Sequence, residues 1–304
     1  MATENFYHES VLLHECIEHL HIHPDGIYVD ATFGGGGHSR AILDKLSSKG
    51  RLIAFDQDKD AMRNVPDDKR ILFINENFRY LHRFLRLYNI PKVDGILADL
   101  GVSSFQFDQA DRGFSIRFDA DLDMRMDART KIKASDIVNT FSEKQLHKLF
   151  EQYGEVTNAK TLANTIVQQR KITPVKSIND FKTMISACVK ANPNKYLAQV
   201  FQALRIEVNQ EMQVLEDFCK QAIDALAPKG RFCVISFHSI EDRIVKQCMR
   251  GEVDKSYEHN PFVQNVIDKK LKLISSKPIT ASQEELKRNT RSRSAKLRVG
   301  EKIK

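Results

Sequence analysis

Two carboxylates and a run of four glycines are the residues in this chain best suited to bind and transform a ligand. The segment Ile27-Tyr28-Val29-Asp30-Ala31-Thr32-Phe33 leads straight into Gly34-Gly35-Gly36-Gly37-His38-Ser39-Arg40, and Ala41, Ile42 and Leu46 continue at helical spacing. The pattern predicts strand, tight loop and helix. Lacking Cβ atoms, the glycines let a ligand lie directly against backbone N–H groups where the helix begins. A second apolar run, Arg51 to Phe55, ends at Asp56, about twenty residues beyond the loop, where an acid can accept ribose hydroxyls. A further run, Val93 to Ala98, ends at Asp99. At the edge where Asp56 and the glycines also emerge, Asp99 can reach both cofactor and substrate; the alternative is an aspartate in a solvated turn.

Spacing decides among nucleoside-containing ligands. Gly34 and Gly36 fill the first two positions of G-x-G-x-x-G, but Ser39 stands at the third, which disfavours NAD. Gly37-His38-Ser39 lacks the lysine of a phosphate-binding P-loop, so ATP hydrolysis is disfavoured too. S-adenosylmethionine carries ribose and adenine without phosphate. It needs the glycines and the acid and places no demand on a cationic side chain.

The elements that position these residues follow from length and pattern. With 304 residues, 41% of them hydrophobic, the chain can form one large core and a smaller one, and we expect one domain carrying an insertion. No run approaches the roughly eighteen apolar residues of a membrane span, and no basic-then-apolar leader opens the chain, so a cytoplasmic protein is expected. Five scattered cysteines without a C-x-x-C pair predict reduced core thiols. His14, Cys16, His19, His21 and His23 match no zinc spacing, and no metal is expected. A net charge of +7 favours a polyanionic partner.

In chain order, Glu9 to Leu20 predicts an amphipathic helix, Lys59 to Asn64 a short helix ending at Pro66, Arg70 to Ile74 a third strand, and Tyr80 to Tyr88 another helix. Phe78, after the third strand, either stacks on an adenine or enters a helix as a core aromatic. Residues 108–133 are charged and irregular, too polar for core, and fit a mobile loop beside the site or a plain linker. From Ala134 to about Tyr196 the pattern is helical, with capping boxes at Ser142-x-x-Gln145 and Ser177-x-x-Asp180 and a helix end at Gly154. Leu197 to Leu226 is helical with a break near Asn209 and returns the chain to the sheet. An apolar strand, Arg231 to Phe237, precedes His238, after which Ser239-x-x-Asp242 forms either a capping box or a second functional edge. Leu271–Ile274 and Lys296–Val299 predict a closing antiparallel pair, separated by the basic loop Lys287 to Arg293. That loop either contacts phosphates or is a solvated charge run.

Six separated motifs identify a family. Asp30-Ala31-Thr32-Phe33-Gly34 through Ser39, Asp99-Leu100-Gly101-Val102-Ser103-Ser104, Arg112-Gly113-Phe114-Ser115, Leu122-Asp123-Met124-Arg125-Met126-Asp127, Arg205-Ile206-Glu207-Val208-Asn209 and Ser236-Phe237-His238-Ser239-Ile240-Glu241-Asp242-Arg243 recur in one order. On these, from Tyr7 to Arg298, the chain closely resembles the bacterial small-subunit ribosomal RNA cytosine-N4 methyltransferases. The resemblance implies a Rossmann-like, S-adenosylmethionine-dependent methyltransferase sheet interrupted by a helical domain between its fourth and fifth strands. Expected boundaries are 1–108 and 197–304 for the methyltransferase domain and 109–196 for the loop and helical insertion. It further implies cofactor contacts from Gly36, Gly37, His38, Asp56, Phe78, Asp99 and Gln106, and small-subunit ribosomal RNA or the assembled small subunit as partner. Asp99 is the expected catalytic acceptor, and Arg291, Arg293 and His238 are candidate RNA contacts. Many amino-group methyltransferases place Asp/Asn/Ser-Pro-Pro-aromatic after the fourth strand, where this chain has Asp99-Leu100-Gly101-Val102; Phe105 is the nearest aromatic that could stack instead.

Overall fold

The computed structural model describes residues 10–103, 109, 112–252 and 269–304. Helix α1 (Leu13–Leu20) begins only after Leu12, which takes a left-handed backbone conformation and donates its N–H to Glu285 Oε1 at 2.9 Å. β1 (Ile27–Asp30) leads through the glycines into α2 (Gly37–Leu43), and β2 (Arg51–Phe55) and β3 (Ile71–Ile74) follow. Lys59–Asn64 is a 3-10 turn started by Asp58, whose carboxylate accepts the Asp60 N–H; six residues before Pro66 leave little room for an α-helix. α3 (Leu81–Leu87) and β4 (Val93–Asp99) complete this half. Residues 52–55 are buried without alternation, as expected for a parallel strand covered on both faces. Across β1 and β4, the Tyr28 ring occupies the space that a Cβ at Gly95 would need.

Five helices follow: α4 (Ala134–Thr140), α5 (Glu143–Gln152), α6 (Ala159–Gln169), α7 (Ile178–Met184) and α8 (Pro193–Asn209). Ser142 with Gln145 and Ser177 with Asp180 form the two expected capping boxes, and Asn192 caps α8 with Pro193 in its first turn. Leu146, Phe150, Leu162, Ile166, Phe181, Val200 and Leu204 share one core. Residues 112–133 correct an expectation. Far from being too polar for core, this segment sends Phe114, Leu122, Met124 and Met126 into the helical core, while its charges pair locally as Asp123–Arg125 and Asp127–Arg129. Asn209 clasps it: Oδ1 accepts the Met126 N–H at 2.8 Å and Nδ2 donates to the carbonyls of Met124 and Arg205.

Contacts divide the chain into one unit of Met1–Gly101 with Met212–Lys304 and a second of Val102–Glu211. The expected boundary at 196/197 therefore falls inside α8. The buried face of that helix, including Val200, Phe201 and Leu204, belongs to the helical core, so the division comes at its end, where Gln210 turns left-handed.

α9 (Glu211–Ala225) returns to β5 (Leu226–Ser236), followed by α10 (Ser239–Met249), β6 (Leu271–Leu273), α11 (Gln283–Arg288) and β7 (Lys296–Lys302). The seven strands lie in the order β3-β2-β1-β4-β5-β7-β6. β1 to β5 are parallel, and β7 runs antiparallel between β5 and β6, so the sheet closes as the sequence predicts. One packed cluster joins α1 and α2 to the sheet through Leu12, Cys16, Leu20, Ile42, Leu97, Ile235 and Leu297. All five cysteines are free and buried. Arg298 on β7 grips Asp242 on α10 with two hydrogen bonds, of 2.6 and 2.9 Å. Residues 287–293, expected as a loop, form instead the end of α11 and a 3-10 turn, Thr290–Ser294, because Ser282 and Asn289 cap these short elements.

Candidate cofactor and active site

The glycine loop is shaped by needs that other residues do not meet. Gly36 has φ +76°, and a Cβ there would stand 2.8 Å from the Phe33 ring; one at Gly37 would collide with Ser10 Oγ. At Gly35, by contrast, an added Cβ would meet nothing within 4 Å, so the loop presents open backbone there. Surrounding groups hold it still. Gly34 N–H donates to Asp56 Oδ2 at 2.8 Å, Asn64 Nδ2 to the Gly34 carbonyl, and Arg40 Nη1 to the Gly35 carbonyl at 2.7 Å. Gly37 and His38 open α2, so their N–H groups have no acceptor within the helix.

Sequence reasoning passed over Asp30, which anchors this arrangement. It is buried, and it accepts the Thr32 N–H at 3.1 Å and the Ser39 hydroxyl at 2.6 Å. Burial pushes its carboxyl above the usual range, opposed by His38 and these donors. The D-x-T spacing ahead of the glycines was the available signal, since an aspartate at a strand end readily bonds the backbone two residues on. Ser39, which removes the dinucleotide pattern, is thus a structural partner of Asp30.

Asp56 and Asp99 both emerge at the carboxyl edge, but their surroundings differ. Asp56 accepts from the N–H groups of Gly34 and Asp58, each at 2.8 Å, so it stiffens the loop as well as facing the ligand edge. Burial pushes its carboxyl up to about 7 despite those donors. Asp99 is fixed by its own backbone, whose N–H donates to Thr32 Oγ1 at 2.6 Å. Its Oδ1 is buried without a hydrogen-bond partner, while Oδ2 lies 3.9 Å from His38 Nδ1. Burial first, then the charges of Asp30 and Glu241, push this carboxyl up to about 8. His38 Nε2 lies 3.1 Å from the Val11 carbonyl, which can only accept, so the proton belongs on Nε2 and Nδ1 faces Asp99 with its lone pair. Burial lowers the imidazole's pKa, against the pull of Asp30. The His38 ring is buried, and its backbone N–H is the group that opens α2.

Phe78 starts a 3-10 turn and packs edge-on against Phe218 of α9, with ring centroids 4.8 Å apart. It is half-buried, so core packing takes only part of its surface. His238 differs from expectation. It, not Ser239, is the N-cap of α10: Nδ1 accepts the Glu241 N–H at 3.4 Å, and Glu241 Oε2 accepts the N–H groups of Phe237 and His238. With its side chain only 11% exposed, it is poorly placed for an RNA phosphate. Arg293 is exposed and Arg291 half-buried. Their turn leads into β7, whose Lys296 pairs with Ser236, so the basic turn lies toward the same sheet edge as Asp99. Gln106, Ser104 and Phe105 lie outside the described residues.

A sheet of this order, with a glycine loop after β1 and acids ending β2 and β4, defines a Rossmann-like methyltransferase that uses S-adenosylmethionine. The residues fit that cofactor: open backbone at Gly35, an acid at Asp56 and an unpaired carboxylate oxygen at Asp99 suit a ribose and a sulfonium cation. The chain belongs to the MraW methylase family, which it matches over residues 5–303. It is 50% identical over 304 residues to the ribosomal RNA small subunit methyltransferase H of Flavobacterium johnsoniae, with both chains covered completely. It is 49% identical over 300 residues to the protein of the same name from Bacteroides fragilis strain YCH46, covering 98% of each. Among the described residues, no helix is long and apolar enough to cross a membrane.

Proposed function

We propose that this methyltransferase acts in the cytoplasm on small-subunit (16S) ribosomal RNA, free or in the assembled subunit, and methylates the N4 amino group of a cytosine in the decoding region. The observation that carries the chemistry is the carboxyl of Asp99, unpaired at Oδ1 and pushed up to about 8 beside the glycine loop. The full-length relatives support the RNA substrate through their names. The cofactor supplies an electrophilic methyl group on a sulfonium. The cytosine N4 lone pair is delocalised into the ring, so Asp99 must localise it by accepting an N4 hydrogen bond while holding the nitrogen in line with the methyl carbon. As the N–C bond forms and the C–S bond breaks, N4 becomes cationic and sheds one proton to Asp99. Without cofactor this carboxyl is largely protonated at neutral pH; a sulfonium bound beside it would favour the carboxylate, the form that can accept that proton. Gly36, Gly37 and His38 hold the cofactor through backbone, Asp56 through the ribose and Phe78 through the adenine, with Gln106 as a further contact. Cytosine must leave its stack, at a cost of a few kcal/mol that phosphate contacts from Arg291 and Arg293 help to offset.

Mass mapping of small-subunit RNA from cells with and without the gene tests this directly. One methyl group on a decoding-region cytosine should disappear with the gene; an unchanged map rejects the activity. Transfer of labelled methyl to small-subunit RNA and not to DNA separates this function from DNA methylation, and cofactor binding without any transfer would identify a non-catalytic assembly factor.

A further inference from the structure

Three buried side-chain polar atoms among the described residues have no hydrogen-bond partner, and two of them, Asp99 Oδ1 and His238 Nε2, follow neighbouring strands at the carboxyl edge of the sheet. The third, Arg231 Nε, belongs to a guanidinium that pairs with Glu301. Buried polar groups in folded proteins are nearly always satisfied, so an orphan pair at a ligand-binding edge calls for a ligand that completes both. The two orphans have opposite character. Asp99 Oδ1 can accept. His238 Nδ1 already accepts the Glu241 N–H, which assigns the ring proton to Nε2 and makes that atom a donor. Glu241 Oε1 lies 3.1 Å from Nε2 but out of line with its N–H, and the other oxygen of that carboxylate is engaged by the N–H groups of Phe237 and His238. Glu241, itself buried, therefore fixes the ring without consuming its donor.

An acceptor at the end of one strand and a donor just past the end of its neighbour are the complement of the Watson–Crick edge of cytosine, where the N4 amino group donates and N3 accepts. Uracil presents the reverse, an accepting O4 and a donating N3–H. We infer that His238 is a specificity-determining residue whose Nε2–H donates to cytosine N3 while Asp99 accepts from N4, so that the two together admit cytosine and reject uracil. Glu241 is the positioning residue behind it. This rests on the proposed cytosine-N4 activity and adds to it the group that reads the ring. Uracil in the same place would set N3–H against Nε2–H and O4 against the carboxylate, leaving two buried groups unpaired on each side.

Two variants separate this role from the helix cap. His238→Asn keeps an acceptor where Nδ1 stands, and asparagine is a strong N-cap, but it ends short of Nε2. His238→Gln restores an amide donor near the Nε2 position at the expense of the cap. Single-turnover methyl transfer is measured on small-subunit particles reconstituted with cytosine or 3-deazacytosine, which lacks the N3 acceptor, at the target position. On cytosine, His238→Asn should be slower than wild type by roughly tenfold to a hundredfold, the range for leaving one buried partner unpaired, and His238→Gln should recover part of the loss. On 3-deazacytosine, wild type and His238→Asn should be equally slow, and cofactor affinity should be unchanged throughout. Equal rates for His238→Asn and wild type on cytosine, or the same fractional loss on both bases, overturn the assignment. No transfer to cytosine by the wild-type protein instead overturns the proposed activity, and this inference with it.

Discussion

The backbone N–H of Asp99 donates to the side-chain oxygen of Thr32 at 2.6 Å, so the residue ending β4 is placed by the residue that leads into the glycine loop on β1. Cofactor loop and candidate acceptor are thereby one assembly. Thr32→Val is nearly isosteric but cannot accept that bond. It should slow methyl transfer by about tenfold, in line with roughly 1 to 2 kcal/mol for a lost buried partner, while changing thermal stability modestly. Single-turnover rates beside melting curves check it. A large stability loss with an unchanged rate would show that the bond supports only the fold.

Asp99→Asn keeps the size and one acceptor oxygen but cannot take up a proton. If the carboxylate acts chiefly as charge builds on N4, the chemical step should fall by about a hundred- to a thousandfold, or roughly 2.7 to 4 kcal/mol, with a smaller effect on affinity. Single-turnover transfer at saturating cofactor and RNA measures that step alone. An unaffected step with collapsed cofactor affinity would make Asp99 a binding residue only.

Asp56→Ala removes the proposed ribose acceptor and also frees the N–H groups of Gly34 and Asp58. Affinity for S-adenosylmethionine should drop by roughly 1 to 3 kcal/mol. Calorimetric titration of the folded variant provides the number, and an unchanged affinity would remove Asp56 from the cofactor site.

Strand ends and caps were legible because their signals are local. Val29-Asp30 into four glycines, the apolar run closing on Asp99, and Ser142 three residues ahead of Gln145 each declare their geometry within a few residues. What escaped depended on partners distant in sequence. Residues 112–133 look polar by composition, yet Leu122 and Met124 are buried in a core that includes residues as far along the chain as Val208, and Asn209, 85 residues beyond Met124, holds the Met124 backbone. Glu241, which helps raise Asp99 and caps with His238, sits among charged residues in the sequence, and only the adjacency of β4 and β5 brings it near Asp99. The capping box was misplaced by one residue for a simpler reason. Ser239 is a common cap and histidine a rare one, but the buried carboxylate of Glu241 selects the position three residues before it.

Arg291 and Arg293 lie in the turn that leads toward the carboxyl edge of β5. Replacing both with alanine should weaken RNA binding and flatten its dependence on salt by up to about two charges' worth, while sparing cofactor affinity. Because Arg293 is the more exposed, Arg293→Ala alone should account for most of the change. Binding measured across a salt series tests this, and an identical slope of log affinity against log salt would place the RNA elsewhere.

The raised carboxyl of Asp99 also predicts how stability depends on pH. Below its ordinary value of 3.8 the group is protonated in both folded and unfolded chains and has no effect on the slope. Between 3.8 and about 8 the unfolded chain releases the proton and the folded one retains it, so stability is lost as pH rises through that window; above about 8 the loss is complete. Asp56 acts in the same direction up to about 7. Each such group can contribute at most about 1.4 kcal/mol per pH unit. Asp99→Asn stays neutral throughout, so without cofactor it should lose less stability than wild type between pH 5 and pH 8 and should melt at the higher temperature at pH 8. The variant expected to be catalytically crippled should thus be the more stable protein, as happens where a site holds a group that the fold alone would not favour. Chemical denaturation of both proteins at pH 5, 6.5 and 8 gives the two slopes. Parallel curves would mean that Asp99 is ionised in the unliganded protein, a carboxylate of ordinary basicity, and that burial does not raise it.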